Sequence, residues 1–431
     1  MLAKLSSVAV RGIEAVLLDL EIDLGRGLPG MVILGLPDKA VNESRDRVKA
    51  AVLNAGYEFP VRRITVNMAP ADLKKEGPAY DLPIALGVLA AGGSLKPGPR
   101  AALTAAVGEL SLEGNVRPVK GALSMALACR ARGLERLILP AANAAEAAMV
   151  SGISVLGVRT LGEAAGAFTE DVPDAPARAD AAALLDGGLD HADLSEVHGQ
   201  EHAKRALLVA AAGGHNALMV GPPGSGKTML ASRLPSILPP LSMDEALEVT
   251  RVHSVAGALP PETPLMQVRP FRAPHHTVSV MGLVGGGAVP RPGEISLAHL
   301  GVLFLDELPE FNRRALEVLR QPLEEGAITI GRAAGSETFP ASLMFVAAMN
   351  PCPCGFFGDP KRACQCNPRQ IQSYLGRISG PLLDRIDIHL EVRRVPSRDL
   401  GKGASGGLSS AEARQRVLKA RAIQGKRFKG K

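Results

Sequence analysis

Gly221-Pro222-Pro223-Gly224-Ser225-Gly226-Lys227-Thr228 fills every position of the pattern G-x-x-x-x-G-K-[ST]. The apolar stretch 216–220 before it reads as a strand, and 229–234 after it reads as a helix. A strand, a glycine turn and a helix in that order bring backbone N–H groups together around phosphate oxygens. The start of the helix adds a dipole of the right sign. Lys227 then reaches the terminal phosphates and the Thr228 hydroxyl ligates Mg²⁺. The stretch decides the fold around it, an α/β unit with a parallel sheet, and predicts ATP and Mg²⁺ as ligands.

Downstream, Gly301-Val302-Leu303-Phe304-Leu305-Asp306-Glu307 is an apolar run ending in two acids. Asp306 at a strand end is placed to hold Mg²⁺, directly or through water, and Glu307 to polarise an attacking water. Asn350 ends a third apolar run, 343–349. Its amide is either a water-orienting group near the γ-phosphate or half of an ordinary Asn-Pro turn. In Leu382-Leu383-Asp384-Arg385-Ile386-Asp387, Arg385 is either salt-bridged locally or a finger reaching a neighbouring subunit's γ-phosphate.

Lys227 and Asp306 stand 79 positions apart. A simple βαβ unit takes only ~30 residues, so an insert separates them. It carries Arg272-Ala273-Pro274-His275-His276-Thr277 and a glycine-rich run at 281–287, expected to form a loop over substrate. His275 and His276 do not read as a metal pair, because neighbours on a strand point to opposite faces and no third ligand accompanies them.

Cys352-x-Cys354 and Cys364-x-Cys366 lie in one Gly/Pro-containing loop. Four thiolates so spaced can wrap one tetrahedral Zn²⁺, although the usual knuckle is C-x₂-C. The alternatives are free thiols or a redox pair. Five cysteines in all, four of them clustered, fit a reducing cytoplasmic compartment better than a disulfide framework.

The chain has 431 residues, room for two or three domains at roughly 150 residues each. With 46% hydrophobic and 21% charged residues, each domain can bury an ordinary core. There is no Trp and only 3% aromatic residue, so aromatic base-stacking platforms do not dominate any nucleic-acid surface. The net charge of +6 is a property of the tail: eight basic residues against Glu412 follow residue 410, leaving −1 for the rest. That basic helix end reads as a solvated face, and the body gives no independent sign of nucleic-acid binding. Arg11, Glu14 and Asp19 break the apolar run 8–20, so no secretory leader is expected. No window reaches about 18 apolar residues, so no membrane span is expected either.

Residues 1–168 read as one α/β unit, with strands at 15–24 and 61–67 and helices at 38–55 and 79–91. Residues 169–192, rich in Ala, Asp, Pro and Gly, read as a linker. Residues 193–395 read as a second α/β unit built on a parallel sheet. Residues 396–431 read as a Gly/Ser-rich loop followed by a helix with a serine cap near 410.

The stretches Val197-His198-Gly199-Gln200, 221–228, 271–277, Arg291-Pro292-Gly293-Glu294-Ile295-Ser296-Leu297-Ala298-His299, 301–308, Asn350-Pro351-Cys352-Pro353-Cys354-Gly355 and 380–387 together resemble the magnesium-chelatase-like AAA+ ATPases of the ComM/YifB family. The region 1–168 resembles that family's amino domain, a ribosomal-S5-like α/β fold similar to the proteolytic domain of Lon. It departs from Lon where a nucleophilic Ser would follow Gly-Pro. The chain reads Gly77-Pro78-Ala79, and Leu123 falls near the position of the base lysine, so no peptidase activity is expected. The resemblance implies a hexameric ring with ATP between subunits. It makes Arg385 the finger in trans and Asn350 the sensor, and puts 197–200 beside the adenine. It implies a cytoplasmic DNA helicase that drives branch migration of recombination intermediates, as in natural transformation. The pore elements of such a motor would be 281–287 and the hairpin-like stretch 328–339, with Arg332. It also implies a helical lid with a second sensor arginine after residue 396, of which only a truncated start is expected here. Two other readings are a chelatase-type ATPase that remodels a metal-inserting partner and a nucleotide-binding product with weak hydrolysis.

Overall fold

The computed structural model describes residues 1–170, 192–260, 263–287, 290–332, 335–395 and 407–428. Most of the expected linker 169–192, residues 396–406 of the Gly/Ser-rich stretch, and Lys429 and Lys431 lie outside the described residues. The chain divides into two compact units: Met1–Leu184 with His253–Met266, and Leu185–Val252 with Gln267–Lys431.

The first unit is founded on β1 (Leu2–Arg11) and β2 (Glu14–Gly25), an antiparallel hairpin in register from Leu2 opposite Asp23 to Arg11 opposite Glu14. Side chains alternate across a strand. Leu18, Leu20, Ile22 and Leu24 are therefore buried, while Asp19 and Asp23 between them are exposed. With β3 (Gly30–Leu34), β4 (Arg63–Ala69), β5 (Thr104–Ala106), β6 (Arg136–Pro140) and β7 (Ser154–Val158), they form a seven-stranded mixed sheet in the order β3-β4-β2-β1-β5-β6-β7. Helix α1 (Lys39–Asn54) starts at Asp38, whose carboxylate accepts from the Val41 N–H at 2.8 Å. Its Val41, Val48, Ala51 and Val52 share the buried face. Helix α2 (Asp81–Gly92) is buried along nearly its whole length.

The segment His253–Met266 belongs to this first unit although it lies inside the insert between Lys227 and Asp306. A buried carboxylate ties it there. Glu146, on α4 (Ala141–Ala147), accepts from the Ser254 hydroxyl and, at 2.9 Å, from the N–H of Leu123 on α3 (Ala122–Ala131). Ser254 Oγ in turn accepts from the Gly121 N–H at 3.0 Å. Burial pushes the Glu146 carboxyl above the ordinary carboxylate range, against those hydrogen bonds.

The second unit holds five parallel strands: β8 (Ala217–Val220), β9 (Phe271–Arg272), β10 (Val302–Leu305), β11 (Met344–Met349) and β12 (Ile388–Glu391). Their order is β9-β10-β11-β8-β12. The apolar runs of β10 and β11 are buried throughout, as strands covered on both faces must be. Val220 pairs with Met349 and Leu305 with Ala347. The carboxyl ends of β8, β10 and β11 therefore come out at one edge of the sheet, the place where open α/β sheets bind ligands.

Around this sheet lie α5 (Glu201–Gly213), α6 (Lys227–Ser232), α7 (Pro368–Leu375) and α8 (Ser410–Arg427). Helix α8 begins with a capping box between Ser409 and Glu412 and buries Ala413 and Val417. The expected solvated basic face is only part of the picture. Arg414 donates to the Ser236 carbonyl at 3.0 Å, and Arg421 to the Ala211 carbonyl at 2.8 Å. Strands Ala327–Arg332 and Gly335–Pro340 pair as a hairpin. The glycine-rich run is ordered: Val280–Val284 is a short helix capped by Ser279, and Gly285–Gly286 pairs with Arg291–Pro292.

Candidate functional site

The phosphate loop leaves the end of β8 and turns into α6. Its first residue passes so close to the last strand's exit that a Cβ on Gly221 would lie 2.1 Å from the Val392 carbonyl oxygen. Only glycine fits there. Lys227 heads α6 and is 9% exposed. Its ammonium donates to the carbonyls of Gly221 at 2.8 Å and Pro222 at 3.1 Å, and to Asn350 Oδ1 at 3.3 Å. Burial pulls the Lys227 amine below the ordinary lysine value, against the pull of Asp306 and Glu307. Ser225 Oγ in the same loop is buried without a hydrogen-bond partner among the described residues.

The acids arrive from β10. Thr228 Oγ1 donates to Asp306 Oδ2 at 2.6 Å, and the Glu307 N–H donates to Asp306 Oδ1 at 2.9 Å. Glu307 sits in left-handed backbone, φ 54° and ψ 46°, a conformation that costs a non-glycine residue energy and gathers at functional sites. Asn350 arrives from the end of β11. Together these residues line a cavity of about 450 Å³ bounded by 223–229, Asp306, Glu307, Met349 and Asn350. The Lys227 cation turned onto loop carbonyls, the unpartnered Ser225 hydroxyl and the paired Thr228–Asp306 oxygens fit a Mg²⁺–nucleotide.

Two further stretches join the site. Gln200, itself in left-handed backbone, donates its amide to the Ser225 carbonyl at 2.9 Å and the Arg393 carbonyl at 2.6 Å. This ties the turn before α5 to the phosphate loop. His276 Nδ1 approaches Glu307 Oε2 at 3.3 Å. The expectation that His275 and His276 point to opposite faces of a strand does not hold. Both lie in irregular chain after β9, with ring centroids 4.0 Å apart. The contact between His276 and Glu307 was not readable from sequence, because it joins two loops whose approach only the folded sheet produces.

Arg385 does not reach this cavity within its own chain. It pairs with Glu324 and donates to the Pro381 carbonyl, while its buried Nε finds no partner among the described residues. Its backbone carbonyl accepts from the Asn216 amide at 2.8 Å, next to the start of β8.

The four cysteines converge. Their sulfurs all lie within 4.8 Å of one another. Cys352 Sγ is 3.4 Å from Cys354 Sγ and 3.7 Å from Cys364 Sγ, and Cys354 Sγ is 3.6 Å from Cys364 Sγ. A tetrahedral zinc with Zn–S bonds of about 2.3 Å has S···S edges of about 3.8 Å. Backbone N–H groups already face the sulfurs: Phe357 to Cys352 at 3.3 Å, Cys366 to Cys364 at 3.4 Å and Cys354 to Cys366 at 3.4 Å. The Cys354 thiol is lowered to about 6, led by backbone hydrogen bonds from Gln365 and Phe356. This donor set could hold a metal ion.

The family described as "Magnesium chelatase, subunit ChlI" matches residues 193–400, and "Subunit ChlI of Mg-chelatase" matches residues 20–143. The chain is 47% identical over 422 residues to YifB of Escherichia coli, covering 97% of this chain and 81% of that protein. It is 46% identical over 427 residues to the competence protein ComM of Haemophilus influenzae, covering 98% and 82%. A more distant likeness, 28% over 161 residues, covers 36% of the chain and 23% of the magnesium-chelatase 67 kDa subunit of Chlorobaculum parvum. No helix among the described residues is long and apolar enough to cross a membrane.

Proposed function

The chain belongs to the magnesium-chelatase-like ATPase family that includes YifB and ComM, and from that premise we propose that it is an ATP-driven DNA motor. In this reading it works as a ring, a hexamer, and remodels branched recombination intermediates in the cytoplasm. The observation that carries the ATPase half is the meeting of Lys227, Thr228, Asp306, Glu307 and Asn350 at one sheet edge. Lys227 would leave the Gly221 and Pro222 carbonyls for the β- and γ-phosphates. The Thr228 hydroxyl and the Asp306 carboxylate would hold Mg²⁺, which neutralises charge building on the phosphates. Glu307 would orient a water and take its proton. Asn350 would fix that water's position. Arg385 would be supplied by a neighbouring subunit, since within its own chain it pairs with Glu324. Residues 197–200 would border the adenine.

DNA as substrate is supported by similarity to a protein named for competence. The hairpin Ala327–Arg332 with Gly335–Pro340 and the arm at 280–287 are the proposed pore elements. The first unit is proposed as a Lon-like, S5-type scaffold without peptidase chemistry, because Ala79 follows Gly77-Pro78 and Leu123 is fully buried. The four cysteines are proposed to hold one Zn²⁺.

The test is ATPase activity of the chain with four-way or forked DNA across a salt series. Stimulation that falls steeply as salt rises is expected, because phosphate contacts release counterions. An ATPase indifferent to branched DNA and to salt would remove the DNA half and leave the nucleotide chemistry standing.

A further inference from the structure

The cysteine cage touches the phosphate loop. Gly355 follows Cys354 directly and holds φ 82°, closing a turn in which its N–H donates to the Cys352 carbonyl at 2.9 Å. A Cβ on Gly355 would lie 2.6 Å from Pro223 Cδ, 2.7 Å from Pro223 Cγ and 3.8 Å from Asn350 Cγ. The backbone of the first cysteine turn therefore presses on the ring of a phosphate-loop residue. The same turn begins two residues after Asn350, the side chain that accepts from Lys227.

The second cysteine turn leads back to the same place. Asn367, the residue after Cys366, caps α7 with a capping box. Tyr374 near the far end of α7 is buried, and the Asn350 backbone is among the groups that act on its hydroxyl. Residues 351–367 contain no helix or strand, and Phe357 is 55% exposed. Neither a backbone ladder nor a sizeable core holds this loop, so a bound ion would be its principal fastening. Small metal-held loops gain their folding energy from the ion in this way.

We propose that a thiophilic, tetrahedral divalent cation of the Zn²⁺ type, held by Cys352, Cys354, Cys364 and Cys366, is the abutment that fixes Pro223 and Asn350, so that nucleotide binding depends on its occupancy. This rests on the zinc reading above and adds a dependence which that reading does not contain. Phosphate binding by the loop needs its N–H groups pre-aimed. Loss of the abutment frees Pro223 to move and lets Asn350 drift from Lys227. The cost falls on affinity for the phosphates rather than on the proton transfer at Glu307.

The experiment uses the full chain. Metal content is measured by elemental analysis. Affinity for ATPγS with Mg²⁺ is then measured by calorimetry before and after treatment with a chelator selective for zinc over magnesium, and again after adding zinc chloride alone. One zinc per chain is expected, with a loss of affinity of at least about tenfold on stripping, a factor that corresponds to ~1.4 kcal/mol, and recovery on zinc return. Gly355→Ala is the second arm, because it keeps all four thiols. It is expected to retain one zinc per chain and to bind ATPγS at least about tenfold more weakly. Absence of metal from the purified chain would overturn the zinc reading and this dependence together. A zinc-loaded chain whose stripped, folded form binds ATPγS unchanged would overturn the dependence alone, whatever Gly355→Ala does. If stripping unfolds the chain, Cys366→Ser, which removes one ligand and leaves Pro223 and Asn350 untouched, takes its place: zinc and affinity lost together support the dependence, and zinc lost with affinity unchanged overturns it.

Discussion

His276 Nδ1 lies 3.3 Å from Glu307 Oε2, which joins the insert after β9 to the acid proposed to activate water. Glu307 holds a left-handed backbone conformation, and His276 lies tilted at 35° against His275 and meets Phe311 edge-on, with ring centroids 6.4 Å apart. The imidazole is thus flanked on two sides where it meets the carboxylate. His276→Ala is expected to lower kcat roughly tenfold, a fraction of the 10²–10⁴ that a positioned base supplies, and to leave KM for ATP unchanged. Steady-state kinetics separate the two. A variant that raises KM with full kcat would place His276 in binding instead.

Lys227 and Glu307 are expected to fail in different ways. Lys227→Ala should abolish measurable binding of Mg²⁺·ATP, because among the described residues its ammonium is the only side-chain cation lining the cavity. Glu307→Gln should bind ATP as the parent does and hydrolyse it at least about 10²-fold more slowly. Calorimetry with single-turnover hydrolysis checks both, and a Glu307→Gln variant with near-parental turnover would remove Glu307 from the chemistry.

Arg385 separates a subunit-bridging site from a local ion pair. Arg385→Ala should retain nucleotide binding and lose turnover by roughly 10³-fold, and Arg385→Lys should not restore it, because an ammonium lacks the planar fork. Mixing Arg385→Ala with Lys227→Ala is expected to recover activity, since each supplies what the other lacks at a shared boundary. No recovery in mixtures, combined with full activity of Arg385→Ala alone, would reduce Arg385 to the partner of Glu324.

Glu146 makes stability depend on pH in a direction opposite to that of a salt-bridged acid. Its folded value is raised from the ordinary 4.5, so the folded state binds more protons than the unfolded one between the two values. Stability should be fully present below the ordinary value and fall as pH rises through the raised one. Glu146→Gln keeps an oxygen to accept from Leu123 and Ser254 and removes the charge. It should flatten that decline and match or exceed the parent's thermal midpoint above it, as a melting series from acid to neutral pH would show. A steeper decline in the variant would contradict the assignment.

The candidate nucleotide site was legible as a meeting of side chains because each of its parts is local. A glycine loop after a strand, two acids at a strand end and an amide at another strand end are short patterns, and the parallel sheet places them together whatever the loops do. The cap of α8 was legible to within one residue: the pattern puts a serine cap near 410, and Ser409 fills the place with Glu412. What escaped was long-range. Strand β1, with Lys4, Ser6 and Ser7 among its apolar residues, carries a weak alternation that only pairing with β2 resolves. Nothing in 253–266 announces that it joins the first unit, because a contact such as Ser254 on the buried Glu146 carboxylate spans 108 positions. His276 and Gly355 act through loops whose meeting points depend on the finished fold. Glu324 as the resting partner of Arg385 is equally invisible, at 61 positions' separation in sequence.

The register that aligns Val220 with Met349 and Leu305 with Ala347 has a mechanical consequence. The strand ends that lead to Lys227, Asp306 and Asn350 are mounted on adjoining rails of one stiff plate, so the spacing of those backbone ends resists distortion while the side chains beyond them can still turn. A regulator cannot work by stretching that spacing. It has to act on fittings bolted to the plate from outside: the imidazole on Glu307, the guanidinium held by Glu324 and the sulfur cage under Pro223. Adjustment of the site therefore falls to loops, and the plate serves as the fixed ruler against which they are set.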